Sequence, residues 1–325
     1  MGVKRIVLMA TGGTISTRDP DGRGARPMLR PADLLRDVPG LDQVAAVEPQ
    51  EFDFIPGSEM TAEKMAALSR RVGETLPRAD VDGIVITHGT DTLEETAYLL
   101  HLTLGGEKPV VLTGAMRNAS QVGFDGYRNL FDAFRTAAAG EARGLGPLVV
   151  LNEEVHAARW VTKTNGQKED SFRSPAAGPV GVAYGDRIAF FMRPAPRRAL
   201  EARLEPEVDL IRLWAGCHDR FIRASLAHGA RGLILETFGG GRVPAGVLPA
   251  IDEAIAAGVT VAATTRCLTG GMWDMYGYEG AFRDLARRGV LFAQDLPGHK
   301  ARLALSVALG NGLPRGEIQE LLEVG

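Results

Sequence analysis

Short continuous hydrophobic runs alternate along the chain with longer stretches of helical spacing. The runs at 4–10, 84–87, 109–113, 147–151 and 180–183 read as buried strands, because each is brief, apolar and bounded by turn-forming residues. Helix-spaced stretches at 61–76, 93–104 and 126–139 separate several of them, with Thr61 placed to cap the first. Such alternation predicts βαβ units around a mainly parallel sheet. The pattern deteriorates over 186–209, where Phe190-Phe191-Met192 gives way to Arg193-Pro194-Ala195-Pro196-Arg197-Arg198 and then to an acidic, proline-containing run. A second alternation follows, with strands near 208–213, 231–235 and 259–263 and helices near 219–228, 246–257, 279–288 and 299–309. The expected fold is therefore α/β with two domains. A larger N-terminal domain (1–193) carries a flavodoxin-like, mainly parallel sheet. A linker (194–208) leads to a smaller parallel-sheet domain (209–325).

Composition narrows the function classes. The 325 residues include 37 basic and 40 acidic side chains, a net charge of −3 with both signs dispersed. That balance gives no electrostatic footprint for nucleic acid or an anionic membrane. No apolar run approaches the roughly 20 residues of a membrane helix. The segment MGVKRIVLMATGG reads as strand one and not as a leader, and Ile6 breaks the myristoylation pattern at Met1-Gly2. The expected location is the cytoplasm. Cys217 and Cys267 lie far apart and outside metal-ligand spacing; free thiols are the favoured reading, and spacing alone leaves a disulfide open. The six histidines form no HxxxH or HExxH pattern, so no metal is expected.

Two turns carry the candidate chemistry. The first strand runs into Thr11-Gly12-Gly13-Thr14-Ile15-Ser16, and the run Ile84-Val85-Ile86 breaks into Thr87-His88-Gly89-Thr90-Asp91-Thr92 before a helical pattern begins near Leu93. Strand, glycine-containing turn and helix start is where an α/β protein displays reactive groups beside free backbone N–H donors. Gly13 and Gly89 let a substrate approach the backbone closely. A threonine hydroxyl needs a partner to take its proton. His88 is one option, although such a residue more often stabilises a turn. Lys163, in the polar segment WVTKTNGQKEDSF after the fourth strand, is the other; beside Asp91 it can relay a proton. A TGGT turn or a lone lysine is weak evidence by itself. The HGTDT run is stronger, since packing alone rarely requires three polar hydroxyl and carboxylate side chains in one turn. No phosphate-binding GK[ST] or GxGxxG motif is present, which argues against a nucleotide site.

Taken in order, ATGGTIS (10–16), GSEM (57–60), ITHGTDTLEETAYLL (86–100), LTGAMR (112–117), DGYRNLFDA (125–133) and VTKTN (161–165) resemble the bacterial-type L-asparaginase family over nearly the whole chain. The resemblance implies cofactor-free hydrolysis of asparagine to aspartate and ammonia through a threonine acyl-enzyme. It implies that Thr14 is the nucleophile of one catalytic group and that Thr90, Asp91 and Lys163 form the other, with the order of attack left open. It further implies that Ser58 and Glu59 bind the α-carboxylate and α-amino ends of the substrate, and that the Ala115 carbonyl lies near the departing ammonia. Backbone N–H groups of the glycine turns are expected to hold the oxyanion. A homodimer or homotetramer with active sites at the dimer contact is implied as well.

Three departures stand out. Residues 17–33, TRDPDGRGARPMLRPAD, read as a flexible lid but lack the tyrosine that many relatives carry there; Tyr276, in DMYGYEG, is a candidate substitute. Glu59 stands where many relatives have glutamine, and its charge predicts stricter anchoring of the substrate ammonium and a preference for asparagine over glutamine. Arg242, in Gly239-Gly240-Gly241-Arg242-Val243-Pro244, replaces an asparagine that helps complete the neighbouring subunit's site. The competing readings are a related amidohydrolase acting on glutamine or a D-amino-acid amide, and a catalytically silent asparagine-binding sensor.

Overall fold

A computed structural model of the chain describes residues 3–195 and 198–324. The myristoylation reading at Met1-Gly2 and the linker residues Pro196 and Arg197 lie outside the described residues. Two compact units divide at Ala199 and Leu200.

The first unit begins with β1 (Lys4–Gly12), β2 (Thr17–Arg18), β3 (Arg26–Pro27), α1 (Pro31–Arg36), α2 (Leu41–Val44), β4 (Ala45–Ile55) and α3 (Ala62–Thr75). It continues through β5 (Gly83–Thr87), α4 (Leu93–Thr103), β6 (Val110–Thr113), α5 (Gly126–Ala138), β7 (Pro147–Leu151) and β8 (Glu154–Ala157). The short strands β9 (Thr162–Lys163) and β10 (Phe172–Arg173) pair with each other, and β11 (Gly181–Tyr184) with β12 (Arg187–Phe190) follow. The main sheet has the order β12-β11-β8-β7-β6-β5-β1-β4. Strands β4, β1, β5, β6 and β7 are parallel, whereas β8, β11 and β12 add on antiparallel. The run expected at 180–183 thus belongs to the antiparallel extension. An unanticipated strand, β8, intervenes between the fourth expected strand and Lys163.

The parallel strands are buried on both faces, which explains their unbroken apolar runs. Alternate side chains feed two cores: Ile6, Leu8, Val85, Leu148 and Val150 pack beneath α5, while Val7, Met9, Ile84, Ile86 and Val149 pack beneath α3 and α4. Thr61 caps α3 as expected, its hydroxyl accepting from Lys64 N at 3.3 Å.

The second unit contains β13 (Val208–Arg212), α6 (Arg220–Ala227), β14 (Gly232–Thr237), α7 (Leu248–Ala256), β15 (Thr260–Thr265), α8 (Phe282–Arg288), β16 (Leu291–Phe292), α9 (Gly298–Gly310) and α10 (Arg315–Val324). Its four strands are all parallel in the order β13-β14-β15-β16. Helix α8 starts later than the expected 279, because Gly280 sits at φ +78° and Ala281 is extended. The apolar core gathers Leu233, Leu235, Val261 and Ala263 from the sheet with Ile222, Leu248, Ile251 and Leu285 from the helices. Both cysteines are free, Cys217 buried and Cys267 exposed.

Candidate active site

From β1 the chain crosses to β4 on one side, then returns to β5 on the other side of β1. Where successive connections leave in opposite directions, a crevice opens beyond the carboxyl ends of the strands. Thr14 follows β1, Ser58 and Glu59 follow β4, Thr90 and Asp91 follow β5, and Ala115 follows β6. Topology therefore brings the candidate residues of the first unit to one edge of one sheet.

Backbone contacts then tie the turns together. Gly13 has φ +80°, and a side-chain carbon there would stand 2.4 Å from Gly89 Cα. One on Gly89 would stand 2.4 Å from Gly57 Cα. Thr92 reinforces the junction, its hydroxyl donating to the Gly57 carbonyl at 2.7 Å. Thr14 opens a one-turn 3₁₀ helix whose next residue, Ile15, is fully buried and anchors the turn. Thr14 is half-buried; its carbonyl accepts from the Thr17 hydroxyl at 2.8 Å, while its own hydroxyl has no hydrogen-bond partner among the described residues. One expectation is not met. The Gly13 N–H donates to the Ile55 carbonyl at 2.9 Å, so Gly13 contributes close approach and not an oxyanion donor.

Lys163 reaches this edge from the β9–β10 pair, where it lies opposite Phe172. Its Nζ donates to Thr90 Oγ1 at 2.9 Å and to Asp91 Oδ1 at 2.8 Å. Its side chain is only 14% exposed, whereas that of Asp91 is 67% exposed. The Lys163 backbone N–H donates to Glu94 Oε1 at 3.2 Å, a contact absent from the sequence reading. Glu94 lies in the first turn of α4, directly after the Thr90 turn, so one short stretch holds both ends of the lysine.

His88 takes the structural role. It is fully buried, with Nδ1 2.8 Å from the Gly89 carbonyl and Nε2 2.8 Å from Thr96 Oγ1. A carbonyl only accepts, so Nδ1 carries the proton and Nε2 accepts from Thr96. Burial pushes the ring's pKa down to about 4. The imidazole is consequently neutral near pH 7 and has both nitrogens occupied.

Ser58 and Glu59 are exposed on the 3₁₀ turn Gly57–Glu59, and Ala115 is buried. The segment expected as a lid forms the β2–β3 pair, docked by Ala119 N donating to the Thr17 carbonyl at 3.0 Å and Asp19 N donating to Ser120 Oγ at 2.9 Å. In the second unit Arg242 and Tyr276 meet each other, the guanidinium lying 5.1 Å from the ring centroid. Among the described residues no group of three or more His, Cys, Asp or Glu side chains is arranged to hold a metal ion.

Residues 5–196 match the family described as Asparaginase, N-terminal, and residues 207–322 match the Glutaminase/Asparaginase C-terminal domain. The chain belongs to the asparaginase family. A probable L-asparaginase of Deinococcus radiodurans is 38% identical over 99% of this chain and 98% of its own length. An L-asparaginase of Bacillus licheniformis is 33% identical over 95% and 96% respectively. The crystal structure of a probable cytoplasmic L-asparaginase from Campylobacter jejuni superimposes with a TM-score of 0.86 at 29% identity, covering 98% of this chain and 99% of that one. As an asparaginase-family chain, it has the large mainly parallel N-terminal sheet and the small all-parallel C-terminal sheet that its motifs predict.

Proposed function

We propose that this asparaginase-family chain is an L-asparaginase, an amidohydrolase that converts L-asparagine and water to L-aspartate and ammonia. The observation that carries this reading is the bridge from Lys163 Nζ to the Thr90 hydroxyl and the Asp91 carboxylate, beside the turn that presents the unengaged Thr14 hydroxyl. Thr14 is the first nucleophile in this reading, because its hydroxyl is unengaged whereas that of Thr90 already holds the lysine. The Thr14 oxygen attacks the side-chain carbonyl carbon, and its proton passes by way of Thr90 and Lys163 to the leaving nitrogen. The C–N bond breaks and ammonia departs past the Ala115 carbonyl. Water then adds to the acyl ester, aspartate leaves, and the proton returns to Thr14. The Gly89–Thr90 turn supplies backbone N–H groups to the oxyanion.

Ser58 and Glu59 hold the α-carboxylate and α-ammonium ends, with Asp91 also facing the ammonium. The first unit acts as the catalytic domain and the second as the C-terminal domain. The chain works in the cytoplasm as a homodimer or homotetramer, in which Arg242 and Tyr276 serve the site at the dimer contact. No described helix is long and apolar enough to cross a membrane. Glutamine is the second substrate reading, favoured by the C-terminal family description, which covers glutaminases too.

Ammonia release by purified protein over L-asparagine, D-asparagine and L-glutamine tests this function. Thr14→Ala should abolish release while still binding asparagine in calorimetry. Asparagine binding without ammonia from the wild type would replace the hydrolase with a sensor.

A further inference from the structure

The motif DGYRNLFDA has no part in the chemistry described so far, yet two of its side chains reach back to the candidate site. Asp125 stands at the N-cap of α5, where an aspartate ordinarily accepts N–H groups of its own helix. It makes no such bond. Its carboxylate instead accepts from Met116 N at 2.9 Å and from Arg117 N at 3.0 Å. Asn129, one turn along α5 and 2% exposed, donates from Nδ2 to the Gly114 carbonyl at 3.0 Å and to Asp125 Oδ2 at 2.9 Å. Its Oδ1 accepts from Asn152 N at 2.9 Å. Reversing the amide would set an oxygen against two acceptors, so the orientation is forced.

These bonds hold the peptide units on both sides of Ala115. The peptide between Ala115 and Met116 is trans and planar, so its N–H and C=O point in opposite directions. Fixing the Met116 N–H on Asp125 therefore aims the Ala115 carbonyl away from α5. Fixing the Gly114 carbonyl on Asn129 prevents the preceding peptide from rotating to compensate.

We propose that Asp125 and Asn129 are positioning residues that aim the Ala115 carbonyl at the departing ammonia. This rests on the asparaginase reading, in which that carbonyl accepts an N–H of the leaving group. A helix-to-loop tie with no further purpose would stabilise the fold and affect every substrate alike. An aimed acceptor matters for an amide, whose leaving nitrogen carries N–H groups, and much less for an ester, whose leaving oxygen carries none.

The test compares L-asparagine with L-aspartate β-methyl ester as substrates of wild type, Asp125→Asn and Asn129→Ser. Asp125→Asn keeps the shape but turns an amide NH₂ toward donors. Its kcat for asparagine should fall about tenfold or more with KM changed less than about twofold, while its kcat for the ester stays within about twofold. Asn129→Ser frees the Gly114 carbonyl and should show the same amide-selective loss, which carries the test if Asp125→Asn does not fold. Equal losses on amide and ester in a variant with a cooperative melt overturn the inference, as does a rise in KM alone. Absence of ammonia release from asparagine by the wild type would overturn the asparaginase reading together with the inference.

Discussion

The contact between Gly13 and Gly89 provides the most direct test of how the site is held. In Gly13→Ala the new methyl carbon would lie 2.4 Å from both Cα and N of Gly89 and 2.8 Å from the carbonyl carbon of His88. All three are backbone atoms, so no side-chain rotation relieves the overlap. Ordinary contact begins near 3.4 Å, and the Thr14 and Thr90 turns must part by about 1 Å. The backbone at φ +80° and ψ −178° lies in a region populated almost only by glycine, which adds a penalty of roughly 1–3 kcal/mol for any residue with a Cβ. A shift of that size between reacting groups costs about 100-fold, so kcat/KM for L-asparagine should fall by at least about that factor. Coupled detection of released ammonia measures the loss, and a thermal melt checks that the variant stays folded. Gly106→Ala is the control: its φ is +93° with nothing within 4 Å, so it carries the backbone penalty without the collision. Activity of Gly13→Ala within about threefold of wild type, or an equal loss in Gly106→Ala, would refute the reasoning.

Three further outcomes are expected. Lys163→Met should lower kcat by roughly 10²–10⁴-fold with little change in melting temperature, because the Lys163–Asp91 pair is largely solvent-screened on the carboxylate side and contributes under about 1 kcal/mol; normal turnover would remove the lysine from the mechanism. The wild type should favour L-asparagine over L-glutamine by roughly tenfold or more in kcat/KM, and Glu59→Gln should narrow that ratio; comparable efficiency on both amides in the wild type would contradict the anchoring role of Glu59. Stability should decline as pH falls from 6.5 toward 4, because the His88 ring takes up its proton near 6.5 when unfolded and only near 4 when buried. The contribution of the neutral ring is complete above pH 6.5, and about 2–3 kcal/mol of it is lost by pH 4.5. Unfolding free energies from urea titrations at pH 7 and 4.5 should differ by that amount in wild type and by clearly less in His88→Asn.

The TGGT and HGTDT turns were legible because each follows an expected strand directly, and a strand's end is set by local pattern. GSE and the role of Ala115 came instead from the family resemblance, and Lys163 from its polar segment. The strand β4 escaped the same reading for a physical reason. It is the edge of its sheet, pairs among the described residues with β1 alone, and tolerates Pro49, Glu48 and Glu51 that would disqualify a central strand. Its burial alternates weakly, so neither a continuous apolar run nor a clean period of two marks it. The bonds from Asp125 and Asn129 to the 114–117 turn were equally hidden, since an aspartate before a helix reads as its cap. Commitment of the Gly13 N–H to Ile55 depends on β4 and could not precede knowledge of that strand.

These bonds also bear on the missing lid tyrosine. Were Thr14 oriented mainly by a side chain of the expected lid segment, the lack of a tyrosine in residues 17–33 would leave the nucleophile loosely held. The described contacts assign that work elsewhere. Ile15 is fully buried, Ser16 N donates to the Gly13 carbonyl at 2.9 Å, and the Thr17 hydroxyl donates to the Thr14 carbonyl. The turn is thereby fixed from both flanks by its own backbone and core, and laterally by the Gly13–Gly89 approach. A lid residue is then needed to exclude water or to contact substrate, not to place the Thr14 backbone. Substitutions within 19–25 should accordingly change KM and leave the melting temperature nearly unaltered, in contrast to Ile15→Ala, which should cost about 2–5 kcal/mol of stability and activity together.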